Sequence, residues 1–518
     1  MDDRIQRVRR TRDDRTSGVV RDPRPGLVLA VVAFGVFVAA DDLTVVTTML
    51  RQMVSDFEIA LPDGVDDAAW IVDSYLIAYV AVMPFAGRAS DLLGRRRVYV
   101  AALSLFAMGS LLIALTDQYS VLIVGRVITA IGGGALVPVG LAVVGDVYRE
   151  RRRARALGVL GAVDTLGWVW GPLFGAFLVR FLDWRWQFYL NIPLALVGIV
   201  AAWIVLRDLD RPSAVGRMDW AGATSLTVGL VALNVALLES SDIQSVTGLG
   251  DLTAQTRLPV APLLVLALAA AVVFVFVERR AAYPTVDLSL FRRADFAPAV
   301  AVNFLVGAAL IIAMVDVPFF VNVLETDVSK AALTSGWVLS ALTASMAVFA
   351  YVGGRRSERT GYRDVTLVGL IVSAGAFVLM GVFWGPDVSF GVMAWQLAIL
   401  GVGFGLVTAP TNAAVVDAAP ADQRGSAAGL VIVARLIGLS VGLSGLTAWA
   451  LRRYNELRES VVLPPLDDPG YADAVAAAQA ELTATALAET FLAAAVVLAI
   501  GLLFARKLRP VSERMPSS

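Results

Sequence analysis

Repeated apolar runs dominate this sequence and leave few folds open to it. A helix needs about 20 apolar residues to cross a hydrocarbon core of ~30 Å, and in lipid only helices and closed barrels satisfy every backbone hydrogen bond. The sequence therefore predicts an all-α integral membrane protein. Its fourteen predicted spans lie at roughly 26–49, 68–86, 98–115, 119–145, 156–179, 187–206, 218–238, 260–277, 296–324, 333–352, 365–383, 391–416, 426–450 and 484–505.

The composition excludes several kinds of chemistry. Of the 518 residues, 58% are hydrophobic and 17% are charged, and none is cysteine or histidine. Disulfides, thiolate nucleophiles, Cys/His metal sites and imidazole proton relays are therefore excluded, so any proton chemistry must use carboxylates. No phosphate-binding G-x-x-x-x-G-K-[S/T] loop occurs, which argues against an ATP-driven pump. We expect no metal and no cofactor, and a proton gradient as the energy source. The net charge of −1 gives no reason to expect a nucleic-acid partner.

Arginine clusters predict the orientation in the membrane. They lie in the N-terminal tail and in every second connection, at 88–97, 149–155, 207–217, 279–293, 355–363 and 506–514. Because basic loops stay on the cytosolic side, both tails, 1–25 and 511–518, are expected in the cytosol. The first 25 residues contain eight arginines but no apolar core or cleavage site, so they do not resemble a signal peptide.

An internal repeat predicts two related halves. GRASDLLGRRR (87–97) follows the second span and GRRSERTGYRD (354–364) follows the tenth, so that Gly87 and Gly354 correspond at an offset of 267 residues. Six helices do not need that length, and two extra spans supply the surplus. We predict six-helix bundles at 26–206 and 291–510, with two inserted helices in 207–290.

The last two spans predict a protruding hairpin. From Gly425 to Glu459 no helix breaker occurs before Pro464, and the return from Tyr471 to Leu508 is also uninterrupted. At 1.5 Å per residue each helix could run roughly 50 Å, which exceeds the hydrocarbon core. We predict a paired helical hairpin at 451–482 outside the membrane, on its periplasmic side. An ordinary loop with some helix remains the alternative.

GRASDLLGRRR resembles the loop between helices 2 and 3 of the major facilitator superfamily. The resemblance implies a gate that holds the cytosolic side closed and breaks when the transporter changes its facing. The second copy carries glutamate where aspartate is usual. The gating residues that the resemblance implies are Gly87, Asp91, Gly94, Arg95, Arg96, Gly354, Glu358 and Gly361.

The fifth span carries a glycine-proline motif, GWVWGPLFG, with Gly167, Gly171, Pro172 and Gly175. Small residues at this spacing let helices approach closely, and proline bends the span. Together with DWRWQFYLNIP at 183–193, the motif is similar to the fourteen-helix drug:proton antiporter branch, and this resemblance covers nearly the whole chain. Simple helix packing is the plainer interpretation of the glycines.

Two further elements of that branch contain charge. GRVITAIGGGALVP at 125–138 resembles the fourth-helix pattern whose arginine, here Arg126, is linked to proton movement, although Thr129 and Ala130 replace the usual glutamine and glycine. In the first span, Asp42 and Thr44 match the branch's D-x-T-[I/V]-V element. That match selects Asp42 rather than its neighbour Asp41.

Charges inside a membrane are costly and usually face a bundle interior or an aqueous cavity. Arg435 and Asp164 each lie roughly 15 Å from the cytosolic ends of their helices, so they could face each other across the two halves. Asp42 and Arg126 also lie at similar depths and could pair within the first half. The six charged candidates for coupling and the central cavity are Asp41, Asp42, Arg126, Asp164, Asp316 and Arg435.

These pairs suggest how a proton could be coupled to transport. A carboxylate in a dry cavity favours its protonated form, and an approaching arginine favours release of the proton. Asp42 is the first candidate for that role and Asp164 the second, and a static buried ion pair is the alternative for each. Asp41 is expected to face a water-exposed edge of the bundle, and Asp316 is expected either in the cavity wall or in a helix interface.

Within the antiporter branch, the chain resembles the mycobacterial triacylglyceride exporters in DDLTVVTTMLRQM, AYVAVMPFAGRASD, MVDVPFF and VIVARLIGLSVGLSGLTAWALRRYN. The resemblance implies proton-coupled export of lipids, a periplasmic lipid-binding lipoprotein as partner, and a cavity lined by Asp42, Asp164 and Arg435. We expect a monomer in a bacterial plasma membrane. The usual acid at the second position is glutamate. The alternatives are a multidrug:proton antiporter, whose efflux confers drug resistance, and a receptor that keeps the fold without transport.

Overall fold

The computed structural model describes residues 24–59, 65–148, 150–210, 212–214, 216–240, 260–325, 328–459, 461 and 471–509. These residues form fifteen α-helices joined by short connections. In chain order the helices are α1 (Pro25–Asp56), α2 (Val65–Leu93), α3 (Arg95–Leu115), α4 (Tyr119–Val147), α5 (Glu150–Phe181), α6 (Arg185–Val205), α7 (Trp220–Ser240), α8 (Val260–Glu278), α9 (Phe296–Leu324), α10 (Val328–Thr360), α11 (Tyr362–Phe383), α12 (Phe390–Ala418), α13 (Arg424–Gly442), α14 (Ala448–Arg458) and α15 (Tyr471–Ala505).

The prediction of fourteen spans is confirmed. Fourteen stretches of the described helices have the length and apolar character needed to cross a membrane. Helices α1 to α12 supply the first twelve, α13 with the turns around it supplies the thirteenth, and α15 supplies the last. Several helices extend beyond the predicted apolar stretch. The prediction counted only apolar residues, whereas a helix can continue through polar residues at the membrane surface.

The thirteenth span differs from its prediction. Instead of one regular helix from Gly425 to Glu459, a π-helical segment at Leu443–Thr447 separates α13 from α14. A π segment inserts an extra residue into a helical turn, which local sequence does not mark. Beyond it, Arg453 of α14 forms an ion pair with Glu489 of α15 at 2.9 Å. Residues 460 and 462–470 of the expected hairpin lie outside the described residues, and its protrusion from the membrane stays a prediction.

The helix contacts repeat between the two halves. In the first half α1 packs on α5, α4 packs on both α2 and α3, and α3 packs on α6. In the second half α9 packs on α13, α12 packs on both α10 and α11, and α11 packs on α15. Each helix of the first half therefore has a counterpart with the same neighbours in the second, as the duplicated loop motif indicated.

The inserted helices α7 and α8 pack on each other, and α7 also contacts α2 and α13. The Ser440 hydroxyl of α13 donates to Asn234 Oδ1 of α7 at 3.1 Å, and the hydroxyl of Ser444 donates to the carbonyl of Leu237 at 2.8 Å. The ring of Trp220, at the start of α7, lies 5.6 Å from that of Phe85 in α2. Helix α7 thus covers the seam between α2 and α13.

The two ends of the bundle carry different segments of the chain. We call the end that carries residues 87–97 and 354–364 the motif face, and the opposite end, toward which α14 and the beginning of α15 lie, the hairpin face. Helix α1 begins at the motif face, so the odd-numbered helices α1 to α13 run from the motif face to the hairpin face.

Candidate functional site

At the motif face, Asp91 joins the two halves. Its carboxylate accepts hydrogen bonds from the backbone N–H groups of Gly425 and Ser426, at 3.0 and 3.1 Å, and from the Ser426 hydroxyl at 3.3 Å. These groups form the N-terminal turn of α13, where unpaired N–H groups and the helix dipole favour an anion. Arg95 Nη1 lies 2.6 Å from Asp91 Oδ1, the oxygen that also accepts from Gly425. The loop motif of the first half therefore caps a helix of the second half.

Two further acidic clusters at the motif face were not among the sequence predictions. Asp146, at the end of α4, contacts Arg95 of its own half and Arg424 of the other half, each at 3.0 Å. Asp417, at the end of α12, contacts Tyr362 of its own half and Arg153 of the other. The clusters are related by the repeat: each aspartate joins its own half to an arginine of the opposite half. All of these contacts hold the motif face closed.

The glycines of the two loop motifs lie where the halves meet. A Cβ atom on Gly87 would lie 2.1 Å from the carbonyl oxygen of Gly425, and one on Gly354 would lie 2.3 Å from that of Ala154. Only a residue without a side chain permits this approach.

The remaining motif residues divide between turns and ion pairs. Gly94 and Gly361 directly precede α3 and α11, and their φ angles of 98° and 85° lie in the region that favours glycine. Glu358 faces Arg155 of the first half at 3.5 Å. Arg96 does not bridge the halves, because it binds Asp210, which follows α6 in the linker to the inserted helices, at 2.7 Å.

The glycines of the fifth-helix motif bring α5 against α1. A Cβ on Gly171 would lie 2.3 Å from the Thr44 hydroxyl, and one on Gly175 would lie 2.2 Å from that of Thr48. Gly167 faces Ala40 in the same way, at 2.6 Å. Packing is therefore what the glycines do here, and the motif's proline, Pro172, lines a cavity.

The structure brings Asp42 and Arg126 together in the first half. Arg126 Nη1 lies 3.2 Å from Asp42 Oδ2, and both side chains are fully buried. The guanidinium also donates to the carbonyl of Ile71 at 3.1 Å and lies 4.2 Å from the ring centre of Tyr75. Asn191 of α6 donates to Asp42 Oδ1 at 2.9 Å. The carboxylate is thus held by a charged and a neutral donor on opposite sides.

Asp41 does not face a wet edge, and that expectation is wrong. It is 6% exposed, and its Oδ2 accepts a hydrogen bond from Gln187 Nε2 at 2.8 Å. Helix α6 covers it, which the position of Asp41 on α1 does not reveal. Gln187 and Asn191 were missed because they are uncharged. Their signal is a pair of amides four residues apart, on one face of an apolar helix.

Asp164 and Arg435 also meet, across the two halves. Arg435 Nη2 lies 3.2 Å from Asp164 Oδ2, and both side chains are buried except for about a tenth of their surface. The two residues line a cavity of about 550 Å³ that continues toward the hairpin face. Helices α1, α5, α9, α10 and α13 form its wall, and most of that wall is apolar. Polar groups are supplied mainly by hydroxyls, among them Thr44, Thr47, Thr48, Thr165, Ser335, Ser340 and Thr343.

Beside the cavity, α5 and α10 carry exposed apolar side chains. Leu173 of α5 lines it and is half exposed, and Trp337 of α10, next to the lining residue Gly336, is also half exposed. Asp316 does not line this cavity, although its neighbours Val315 and Pro318 do, and it is 3% exposed. Of the two positions expected for Asp316, the structure therefore supports the helix interface.

Comparison with known proteins decides the family. The sequence model of the Major Facilitator Superfamily matches residues 32–443. This protein belongs to the Major Facilitator Superfamily. The chain is 35% identical over 463 residues to a triacylglyceride transporter of Mycolicibacterium hassiacum, which covers 86% of this chain and 84% of the relative. It is 33% identical over 503 residues to a probable triacylglyceride transporter of Mycobacterium leprae, with 93% and 96% covered.

Solved structures show the same fold at low sequence identity. The human organic anion transporter MFSD10 (TETRAN) aligns with a TM-score of 0.55 and 17% identity, covering 92% of this chain and all of that one. The proton:xylose symporter XylE, bound to 6-bromo-6-deoxy-D-glucose, aligns with a TM-score of 0.59 and 12% identity, covering 92% and 96%. The superfamily member described here is thus a multi-pass membrane transporter, with the major facilitator fold extended to fourteen candidate spans.

Proposed function

We propose that this transporter exports triacylglyceride-like lipids, or other very hydrophobic amphiphiles, in exchange for protons. The observation that carries the proposal is the cavity at the Asp164–Arg435 pair, whose wall is almost entirely apolar apart from neutral hydroxyls. The names of the mycobacterial relatives support a lipid as the substrate class.

The size and position of the cavity support a lipid that is only partly enclosed. A volume of about 550 Å³ lies within the range of roughly 300–1,000 Å³ that is usual for small-molecule sites. Three long acyl chains need more room than this. The half-exposed Leu173 of α5 lies on the side of the cavity toward α10, where such chains could extend from the cavity into the surrounding bilayer.

Proton coupling uses the two buried ion pairs in different ways. Asp164 and Arg435 belong to different halves, so a movement that opens the motif face separates them and leaves Asp164 free to take up a proton. Asp42 and Arg126 belong to the same half, and their contact changes only if α1 and α4 shift or water enters. A proton bound at either carboxylate neutralises a charge that would otherwise be buried without a partner.

The orientation that we propose for the transporter in the membrane rests on the charges at the two faces. We assign the motif face to the cytosol, because arginine clusters occupy every second connection and these connections lie at that face. With the motif face closed by Asp91, Asp146 and Asp417, the cavity faces the exterior of a bacterial plasma membrane. The hairpin of α14 and α15 is then on the periplasmic side, where it is suited to pass lipid to a lipid-binding lipoprotein. The transporter itself works as a monomer.

Efflux of small cationic drugs is the competing function. A cavity that recognises a cationic substrate by its charge needs a negative charge that no other residue compensates. Among the described residues that line the cavity, Asp164 is the one acid, and Arg435 neutralises it. The charge of this cavity therefore favours a neutral, apolar substrate.

Reconstitution into proteoliposomes tests the proposal. We expect labelled triacylglyceride to move when a proton gradient is imposed, and a cationic dye not to move. Asp42→Asn is expected to abolish gradient-driven movement, whereas Asp316→Asn, a buried acid outside the cavity, is expected to retain it. Dye transport without lipid transport would refute the assigned substrate. Lipid transport that is unchanged in Asp42→Asn would refute the assigned coupling site.

A further inference from the structure

The coupling scheme above leaves one buried acid, Asp41, without a role. Asp41 lies beside Asp42 on α1 and is covered by α6. Its environment differs from that of Asp42, since no arginine contacts it among the described residues. The chemistry of its hydrogen bonds indicates what it does.

The hydrogen bonds of Asp41 are incomplete in a specific way. Its Oδ2 accepts from Gln187 Nε2 at 2.8 Å, but its Oδ1 is buried without a hydrogen-bond partner. The other end of the same amide, Gln187 Oε1, is also buried without a partner. Both unpartnered atoms are acceptors if the acid is ionised, and burying two unsatisfied acceptors is costly.

The charges around Asp41 do not compensate a second negative charge. Among the described residues, the titratable groups that interact with Asp41 are Asp42 of its own helix and Tyr75 of α2, and Arg126 of α4 contacts both of these. Arg126 binds Asp42, and Tyr75 is neutral. Of the described contacts, α6 presents the amide of Gln187 to Asp41, and Gly167 and Gly171 of α5 lie against the Asp41 backbone. An ionised Asp41 would therefore give this buried group a net charge of −1, which is strongly unfavourable away from water.

We propose that Asp41 is a second proton-binding carboxyl and that it carries its proton in this conformation. A hydrogen on Oδ1 supplies the donor that Gln187 Oε1 lacks, while Oδ2 accepts from Gln187 Nε2. A carboxylic acid and a primary amide joined in this manner form a closed pair with two hydrogen bonds. One proton thus gives partners to both unsatisfied atoms and removes the uncompensated charge.

Two amides connect this proton to the coupling site. Gln187 Nε2 also donates to Asn191 Oδ1 at 3.3 Å, and Asn191 Nδ2 donates to Asp42 Oδ1 at 2.9 Å. Of the two adjacent acids, Asp42 is therefore the ionised partner of Arg126, and Asp41 is the neutral partner of Gln187. The consequence for transport rests on the proton coupling proposed above: the cycle has a second carboxyl that binds a proton, positioned by Gln187.

Infrared spectroscopy of the purified full-length protein tests protonation without requiring transport. The C=O band of a carboxylic acid is separate from that of a carboxylate, and ¹³C-labelled aspartate identifies it as an aspartate band. We expect Asp41→Asn to remove one such band at neutral pH and Asp316→Asn to leave that band in place. Gln187→Leu should shift the band to higher frequency, because the acid carbonyl loses its donor. An unchanged set of acid bands in Asp41→Asn would overturn the proposal.

The pH dependence of transport supplies a second readout. The amide in Asp41→Asn can make the same two hydrogen bonds to Gln187 as the protonated acid, so this variant should fold and transport. Its pH profile is expected to be less steep, since one titrating group has been removed. A profile identical to that of the wild type would overturn the role in transport. The coupling proposal fails separately, if Asp42→Asn transports normally while the Asp41 band is present.

Discussion

The closed motif face allows a quantitative prediction at Asp91. In Asp91→Asn the charge is lost and one of the two oxygens becomes an NH₂ group, which cannot accept from α13. The wild-type carboxylate accepts three hydrogen bonds from Gly425 and Ser426. A hydrogen bond to a charged group contributes about 1.5–3 kcal/mol net. The loss of one such bond and the weakening of another therefore destabilise the closed state by about 3 kcal/mol relative to the open state.

These bonds exist only when the motif face is closed, so the loss acts directly on the equilibrium between conformations. About 3 kcal/mol corresponds to a shift of roughly 150-fold toward the state in which the motif face is open. The chain contains no cysteine. Cysteines introduced at Leu93 and Arg356 are therefore the only ones to react with a spin label. These two exposed positions lie on different halves of the motif face. Pulsed dipolar spectroscopy should then show a population with longer distances.

A matched control is available at the corresponding position of the second half. Glu358 faces Arg155 at 3.5 Å, and 40% of the Arg155 side chain is exposed. Such a pair contributes at most about 1 kcal/mol, so Glu358→Gln should change the same equilibrium by no more than about fivefold. Equal distance distributions in Asp91→Asn and the wild type would refute the assignment of Asp91 as a latch. Equal effects in both variants would refute the asymmetry between the two halves.

Two further predictions concern packing and pH. Gly171→Val should lower the thermal midpoint of the detergent-purified protein by an amount equivalent to about 1–3 kcal/mol, because its Cβ would overlap α1. Gly375→Val, where nothing lies within 4 Å of the added atom, should have much less effect, and equal losses would contradict this reasoning. Hydrogen bonds from Arg452 lower the pKa of Glu456, so their support of α14 is present at neutral pH and is lost as the pH falls through that lowered value. Hydrogen exchange in α14, corrected for its intrinsic pH dependence, should therefore rise in acid; protection that is independent of pH would exclude this contribution.

The sequence predicts the fold of this transporter well because the membrane simplifies the problem. An apolar run of sufficient length has one stable form in lipid, and a basic loop has one preferred side. The pairing of Asp164 with Arg435 was also accessible, because the depth of a residue in a straight helix follows from its distance to the helix end. Both inferences use one coordinate, the position along the membrane normal.

Rotation about the helix axis is the coordinate that the sequence does not provide. Asp41 and Asp42 have nearly the same depth, and the direction in which each points depends on where α6 packs. For the same reason the sequence does not predict that Gln187 contacts Asp41, and it does not distinguish a cavity wall from a helix interface for Asp316. The π segment at 443–447 is a related case, because it changes the rotation of α14 relative to α13 without changing the hydrophobicity of either.

The cover that α7 places over the α2–α13 seam has a consequence for traffic in the plane of the membrane. The two halves meet along two seams, and the hydroxyls of Ser440 and Ser444 fasten α7 over one of them. For a lipid substrate we therefore expect access from the side of α5 and α10 rather than past α7. The transporter then has an access side and a covered side within the plane of the membrane. A neighbouring protein that binds against α5 and α10 would obstruct the access of lipid, whereas one beside α8 would not.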